Sequence, residues 1–250
     1  MNIKCIIPAR YGSDRFRGKP LALIAGKPMV LRVCENAGKA HLLDEVIVAT
    51  DDAGIYETVT GAGVKCIMTP ACGTGTDRVY WVSKRIKAGI VVNVQGDEPM
   101  ISPAVIDGTI RAFLDSGGAG MATAAVRMKD SEGLTDPDIV KVVVDSEGRA
   151  LYFSRSPIPS TARDAGKRRR PYSYLKHIGI YVYGSEFLKV FCGLKKSRLE
   201  EIEKLEQLRA LENGFGIRVA LTDRDCISVD RKEDIKYVEA AMKRLRGAGV

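Results

Sequence analysis

From Pro8 to Pro20 the chain reads Pro-Ala-Arg-Tyr-Gly-Ser-Asp-Arg-Phe-Arg-Gly-Lys-Pro, setting Arg10, Arg15, Arg17 and Lys19 around two glycines. Glycine lets a main chain approach phosphate oxygens closely, and clustered cations neutralise a triphosphate. The segment follows a predicted buried strand, and ligands of open α/β sheets bind beyond the carboxyl ends of strands. It belongs to neither common phosphate motif. Five residues separate Gly12 from Gly18, and Pro20 stands where a Walker loop requires Ser or Thr. Gly61-Ala62-Gly63 lacks the third glycine of a dinucleotide fingerprint and precedes a strand. A second chemical position lies in Gln95-Gly96-Asp97-Glu98-Pro99, where Gly96 permits a turn and Pro99 ends strand pairing. The Asp97 carboxylate should therefore project at the edge of a sheet.

Those positions need a scaffold. Short runs rich in Val and Ile at 3–8, 45–50, 64–68 and 90–94 predict buried strands. Helical patterns at 28–40, 51–60 and 76–87 separate them, the second opening on Asp51-Asp52. This alternation predicts a doubly wound α/β fold, a mixed but mainly parallel sheet with helices on both faces. In the second half 120–126, 139–144, 150–154 and 177–183 predict strands, with a hairpin turn at 145–148. Residues 163–174 are polar and basic, as in a surface loop. Leu199, Ile202, Leu205, Leu208 and Leu211 recur every third residue and end at Asn213-Gly214, which predicts one helix. A three-residue step drifts about 60° per repeat, so that helix should pack on more than one side. A closing helix is expected over 230–245. The whole reads as one domain in two halves, 1–118 mainly nucleotide-binding and 119–250 less regular, the second contributing a smaller irregular lobe.

Composition narrows the partners. At 250 residues, 45% hydrophobic and 28% charged, the chain can bury a core without staples. No apolar run nears the roughly 18–20 residues of a membrane span, and the first ten residues are too short an apolar stretch for a secretory leader. A cytoplasmic protein without membrane attachment is expected. Six cysteines without a C-x-x-C pair argue against zinc and redox motifs, leaving mostly buried small hydrophobes. The net charge of +8 and the run Lys167-Arg168-Arg169-Arg170 invite a nucleic-acid partner, but aromatics are only 6% and no recognition motif accompanies them. An anionic small substrate accounts for the surplus, and no nucleic-acid binding is expected.

Pro8-Ala9-Arg10 with Ser13, Arg15, Gly18, Lys19 and Pro20-Leu21 resembles the N-terminal signature of sugar cytidylyltransferases, closest to the 3-deoxy-manno-octulosonate (Kdo) cytidylyltransferase, or CMP-Kdo synthetase, family. Asn93 to Pro99, Tyr152-Phe153-Ser154-Arg155 with Ile158-Pro159, and His177 to Tyr181 agree with it. So do Leu205 to Arg209 and Val229-Asp230 with Glu233-Asp234. The resemblance implies attack of a sugar-acid hydroxyl on the α-phosphorus of CTP, with Mg²⁺ as cofactor, in a homodimer serving lipopolysaccharide or capsule synthesis. It implies that Arg10, Arg15 and Lys19 hold the triphosphate, helped by Ser13 and the main chain of Pro8 and Ala9. Thr74, Gly75, Thr76 and Arg78 would contact the nucleotide, although Thr74–Asp77 is equally a plausible helix start. Asp97 and Asp230 would bind the metal, Asp230 also suiting a helix N-cap. Arg10, Lys19, Asp97 and Asp230 form the implied catalytic set. Gln95, Arg155, His177, Tyr181, Glu206 and Gln207 would hold the sugar acid, Arg155 as a carboxylate fork whose loss raises the sugar KM. No residue is assigned as general base; His41 is left as structural. The pattern is broken at Cys72-Gly73-Thr74-Gly75-Thr76, where relatives carry His-Gln-Ser-Gly-Thr, and at Phe16-Arg17 for Leu-Pro. The first puts base selectivity in question and the second is expected to free the loop. A related sugar acid, or a non-catalytic nucleotide binder, are the alternative readings.

Overall fold

The computed structural model describes residues 2–12, 16–128, 133–161 and 172–247, the side chains of 245–247 excepted. Ser13 and Arg15, the 167–170 run and most of the 163–174 segment lie outside the described residues. The chain forms two compact units, 1–107 with 226–250, and 108–225. The expected halves therefore differ from the observed ones, because the C-terminal segment returns to the first. Two contacts explain that return. Val229 N donates to Asp97 O at 2.9 Å. Val229 and Val238 also bury themselves with Ile24 and Met29.

In the first unit β1 (Ile3–Ala9), β4 (Glu45–Thr50), β5 (Lys65–Met68) and β6 (Ile90–Val94) pair in the order β6-β1-β4-β5, parallel throughout. Five consecutive buried residues in β6, and Cys5, Ile6 and Ile7 wholly buried in β1, mark strands covered on both faces. A two-stranded ribbon, β2 (Leu23–Ile24) and β3 (Lys27–Pro28), leads into α1 (Met29–Ala37). Helix α2 (Ala53–Gly61) starts where Asp52 accepts from Ile55 N at 2.9 Å. Helix α3 (Gly75–Ile86) starts at a reciprocal capping box between Thr74 and Asp77 and stops at Lys87, which takes a left-handed conformation. Helix α4 (Pro103–Leu114) continues from the first unit into the second.

The second unit contains β7 (Met121–Arg127), β8 (Lys141–Val144), β9 (Ala150–Ser154), β10 (Leu175–Gly184), α5 (Ser185–Gly193), α6 (Arg198–Glu203), α7 (Leu208–Glu212) and β11 (Ile217–Thr222). β11 pairs parallel with β7; β10 pairs antiparallel with β7 and β8, and β8 with β9 through the expected 145–148 turn. The single helix expected over 199–211 is corrected to two. Lys204 adopts φ 56°, ψ 42°, which ends α6 at Glu203, and α7 begins only at Leu208. The three-residue leucine step belongs to no single helix face, and Ile202 remains exposed while Leu205 and Leu208 are buried. The closing helix starts later than expected: α8 (Ile235–Gly247) follows a 3-10 turn at Lys232–Asp234.

Among the described residues no helix is long and apolar enough to cross a membrane. No disulfide joins the six cysteines; Cys5, Cys34 and Cys226 are buried as small hydrophobes, and Cys66, Cys72 and Cys192 are half-buried. Burial raises the Cys34 thiol to about 12 and Cys66 to about 11, leaving both as inert thiols at neutral pH.

Candidate active site

The first cluster forms where β1 and β6 end. Gly18 N donates to Tyr11 O at 2.9 Å, closing the basic loop, and Gly18 occupies φ 72° beside the Tyr11 ring. Phe16 packs on the Ile24, Met29, Val229 and Val238 cluster, and the Arg17 guanidinium lies 5.7 Å from the Tyr11 ring centre. Phe16 and Arg17 thus make contacts of their own in the described part of the loop. Arg10 is exposed just past β1, while Ala9 is buried.

Lys19 Nζ donates to Asp97 Oδ2 at 2.7 Å and to Val229 O at 2.9 Å. With Val229 N bonded to Asp97 O, this ammonium joins three chain segments next to Asp230. Asp230 is not the helix cap: the Asp234 carboxylate accepts from Asp230 N at 2.8 Å and Arg231 N at 2.7 Å. Gln95 Nε2 donates to Asn93 Oδ1 at 3.2 Å. Gly75 and Gly96 are tight approaches. A Cβ on Gly75 would lie 3.4 Å from Pro8 Cγ and 4.0 Å from Gln95 Oε1; one on Gly96 would lie 2.8 Å from Pro8 O. The last contact is against main chain, so Gly96→Ala must move the turn that carries Asp97. It is expected to destabilise by about 1–3 kcal/mol and to lower kcat by about tenfold, read by urea titration and initial rates. Wild-type rates would show that the turn tolerates the shift.

Two nucleotide candidates have partners within the fold. Arg78 is buried, donating Nη2 to Asp51 Oδ2 at 2.7 Å and Nη1 to Thr69 Oγ1, so its guanidinium is committed inside the fold. The Thr74 hydroxyl is committed to the Asp77 N–H of its capping box. Gly75 keeps its place beside Pro8, and Thr76 is buried in the first turn of α3.

The second cluster lies in the second unit. His177 and Tyr181, both on β10, have ring centres 5.5 Å apart. Four residues of regular strand span about 13 Å. A register jump between Ile178 and Tyr181 produces the approach. The Tyr181 hydroxyl donates to Gln207 Oε1 at 3.2 Å, and the buried Gln207 Nε2 has no partner among the described residues. Gln207 occupies the N-cap position of α7, while Glu206 lies in the break before it and reaches Arg209 Nη2 at 3.4 Å. Phe153 meets His177 edge-on at 5.2 Å. Part of the His177 surface stays accessible, yet desolvation by its neighbours draws its pKa down to about 3.

Arg155 has partners within its own unit. Its guanidinium donates to the carbonyls of Glu203 (2.8 Å), Pro137 (2.6 Å) and Lys204 (3.5 Å). Its own carbonyl accepts from the buried Lys141 ammonium, which also donates to Asp136 O at 3.0 Å and Ile139 O at 2.6 Å. Arg155→Ala is accordingly expected to cost about 1–2 kcal/mol in a denaturant titration. A raised sugar KM with an unchanged unfolding midpoint would show the fork acting on the sugar carboxylate instead.

Among the described residues no group of three or more His, Cys, Asp or Glu is arranged for a metal. Asp97 and Asp230 supply two carboxylates on adjoining segments. That set fits magnesium, which takes one or two carboxylates and completes its shell with phosphate oxygens and water. Residues to which the sequence gave no individual role are Asn93, Val229 (through its carbonyl) and Thr123, a fully buried hydroxyl 2.9 Å from His177 Nε2. The signal for Thr123 is one polar residue inside the small apolar run Met121 to Val126.

A family model described as Cytidylyltransferase matches residues 4–229. A protein of Syntrophotalea carbinolica named 3-deoxy-manno-octulosonate cytidylyltransferase is 46% identical over 250 residues, 98% of this chain and 100% of that protein. The solved structure of CMP:2-keto-3-deoxy-manno-octonic acid synthetase complexed with CTP is 39% identical with a TM-score of 0.90, covering 98% of this chain and 99% of that one. A cytidylyltransferase from Leptospira borgpetersenii shares the fold at 16% identity, TM-score 0.66, over 98% of this chain and 87% of its own.

Proposed function

The chain belongs to the cytidylyltransferase family, and from that premise we propose that it transfers CMP from CTP to the anomeric hydroxyl of Kdo, releasing pyrophosphate. The observation that carries the site assignment is the Lys19 ammonium held between Asp97 and the Val229 carbonyl, with Asp230 next along the chain. It brings a cation and the Asp97 carboxylate together at the mouth of a basic loop, a setting that suits a departing pyrophosphate.

The roles follow. Arg10, Arg15 and Lys19 neutralise triphosphate charge, and the close approach of Gly75 and Gly96 to Pro8 holds the main chain of that loop in place. Asp97 and Asp230 would hold magnesium, which when bound supplies positive charge to the phosphate oxygens. Gln95 presents Oε1 because its amide nitrogen is engaged by Asn93. His177, Tyr181 and Gln207 hold the sugar acid; the buried, unpartnered Gln207 Nε2 supports this, since a desolvated donor is costly until it is paired. Glu206 can add a hydroxyl partner from the break before α7.

We further read the protein as a magnesium-dependent cytoplasmic homodimer whose product serves lipopolysaccharide or capsule synthesis. The test is pyrophosphate release with CTP, Mg²⁺ and Kdo, omitting each in turn. Dependence on all three is expected. Release with another sugar acid in place of Kdo would keep the reaction and move the acceptor. No release with any acceptor would favour a non-catalytic nucleotide binder.

A further inference from the structure

Opposite β7, strand β10 carries two surplus residues: Ile178 faces Ala124 and Tyr181 faces Thr123, leaving Gly179 and Ile180 without opposite numbers. Thr123 stands at that jump with no surface exposed. Its hydroxyl is 2.7 Å from Ile180 O, 3.4 Å from Ile178 O and 2.9 Å from His177 Nε2. A hydroxyl has one proton, and a carbonyl only accepts, so the proton goes to Ile180 O, the nearer carbonyl. His177 Nε2 must then donate into the Thr123 oxygen. In a neutral imidazole the other nitrogen, Nδ1, carries the lone pair.

We propose that Thr123 is a positioning residue for the sugar acceptor: it pins the β10 bulge and fixes His177 as the Nε2–H tautomer, so that Nδ1 accepts a hydrogen bond from an acceptor hydroxyl. The inference rests on the reading that His177, Tyr181 and Gln207 hold the sugar acid. The bulge brings the His177 and Tyr181 rings together, and the hydroxyl that holds the bulge also sets the ring's protons. Burial supports the assignment by keeping the imidazole neutral, with its pKa near 3, so the doubly protonated form that donates from both nitrogens is not populated at neutral pH. A His177 of this kind reads a hydroxyl and gives nothing to a carboxylate. Sequence reading alone could not reach this, because Thr123 and His177 are 54 positions apart.

The test uses the full-length protein labelled with ¹⁵N-histidine. There are only two histidines, so His41→Gln assigns the spectrum. The wild type should show the Nε2–H tautomer for His177. Thr123→Val should lose or mix that tautomer and raise the KM for Kdo about tenfold, the worth of one hydrogen bond, with the KM for CTP within about twofold of wild type. Thr123→Ser, which restores the hydroxyl, should return both tautomer and KM. A wild-type Nδ1–H tautomer, an unchanged tautomer in Thr123→Val, or a Ser variant that behaves like Val would overturn the proposal. His177→Ala separates the two layers. If it raises the Kdo KM while Thr123→Val does not, the positioning role fails. If neither variant moves that KM, the assignment of His177 to the sugar fails with it.

Discussion

Replacing Asp97 with Asn is expected to lower kcat by at least about a hundredfold, equivalent to about 2.7 kcal/mol of transition-state stabilisation. Asn keeps the size of the side chain and one acceptor but removes its charge. The charge holds Lys19 through a 2.7 Å hydrogen bond, and Lys19 in turn reaches Val229 O on the returning C-terminal segment. Asp97 is also one of only two carboxylates assigned to magnesium, so the variant should need more Mg²⁺ for half-maximal rate. Both side chains are partly accessible, 15% for Lys19 and 30% for Asp97, so the pair contributes little to stability after solvent screening. Thermal unfolding of the variant should stay within a few degrees of wild type. Initial rates across a magnesium titration decide the matter. A kcat near wild type would remove Asp97 from the reaction.

The second large effect is on stability. Arg209→Met is expected to destabilise by about 3–5 kcal/mol, because it strands a buried carboxylate. Arg209 donates Nε to Glu200 Oε2 at 2.8 Å and Nη2 to Glu200 Oε1 at 2.6 Å, with both side chains under a tenth exposed. Its guanidinium also lies 4.9 Å from the Phe191 ring centre. One residue thereby ties α6, α7 and the end of α5 together, two positions after Gln207. Burial, the largest single influence, raises the Glu200 carboxyl; the Arg209 hydrogen bonds and charge, the Ser197 N–H and the Lys196 charge together outweigh it and hold the group below its ordinary value. A carboxylate depressed on folding binds fewer protons in the native state than in the unfolded one. Its contribution is therefore complete above the unfolded value of about 4.3 and disappears as pH falls through the folded value. Urea titrations at pH 7 and pH 3 should show the wild-type advantage over Arg209→Met shrinking in acid. The double variant Glu200→Leu with Arg209→Met should recover much of the loss, since it buries no unpaired charge. A single variant within about 1 kcal/mol of wild type would refute the staple.

The elements of the first unit were legible because their signals are local. Val- and Ile-rich runs form β1, β4, β5 and β6, and the Asp52 and Thr74 caps start α2 and α3 where acid and hydroxyl residues predicted starts. The basic loop and the Asp97 turn were legible for the same reason, since glycine and proline constrain their own backbone. Lys204 was not legible. Nothing in a non-glycine residue announces a left-handed turn, so the leucine step read as one helix where the chain makes two.

Side-chain commitments were the least accessible, because a residue type states its capacity and not its partner. Arg78 read as a nucleotide contact and Arg155 as a carboxylate fork, and neither reading could supply their tertiary partners, Asp51 and Thr69 for the one and main-chain carbonyls for the other. Asp230 read as a metal ligand that also suits a helix cap, and it is the Asp234 carboxylate that accepts the N–H groups at that helix start. The residue types by themselves thus determined that this chain builds a mainly parallel α/β sheet with a basic loop after its first strand and a carboxylate in the turn after β6, since propensity, burial and charge act within a few neighbours. Only the tertiary structure decided that Lys19 meets Asp97 and Val229, 78 and 210 positions away, and that a bulge in β10 brings His177 to Tyr181. Those meetings are set by the register of distant strands and by where the closing segment returns, which depend on packing over the whole unit.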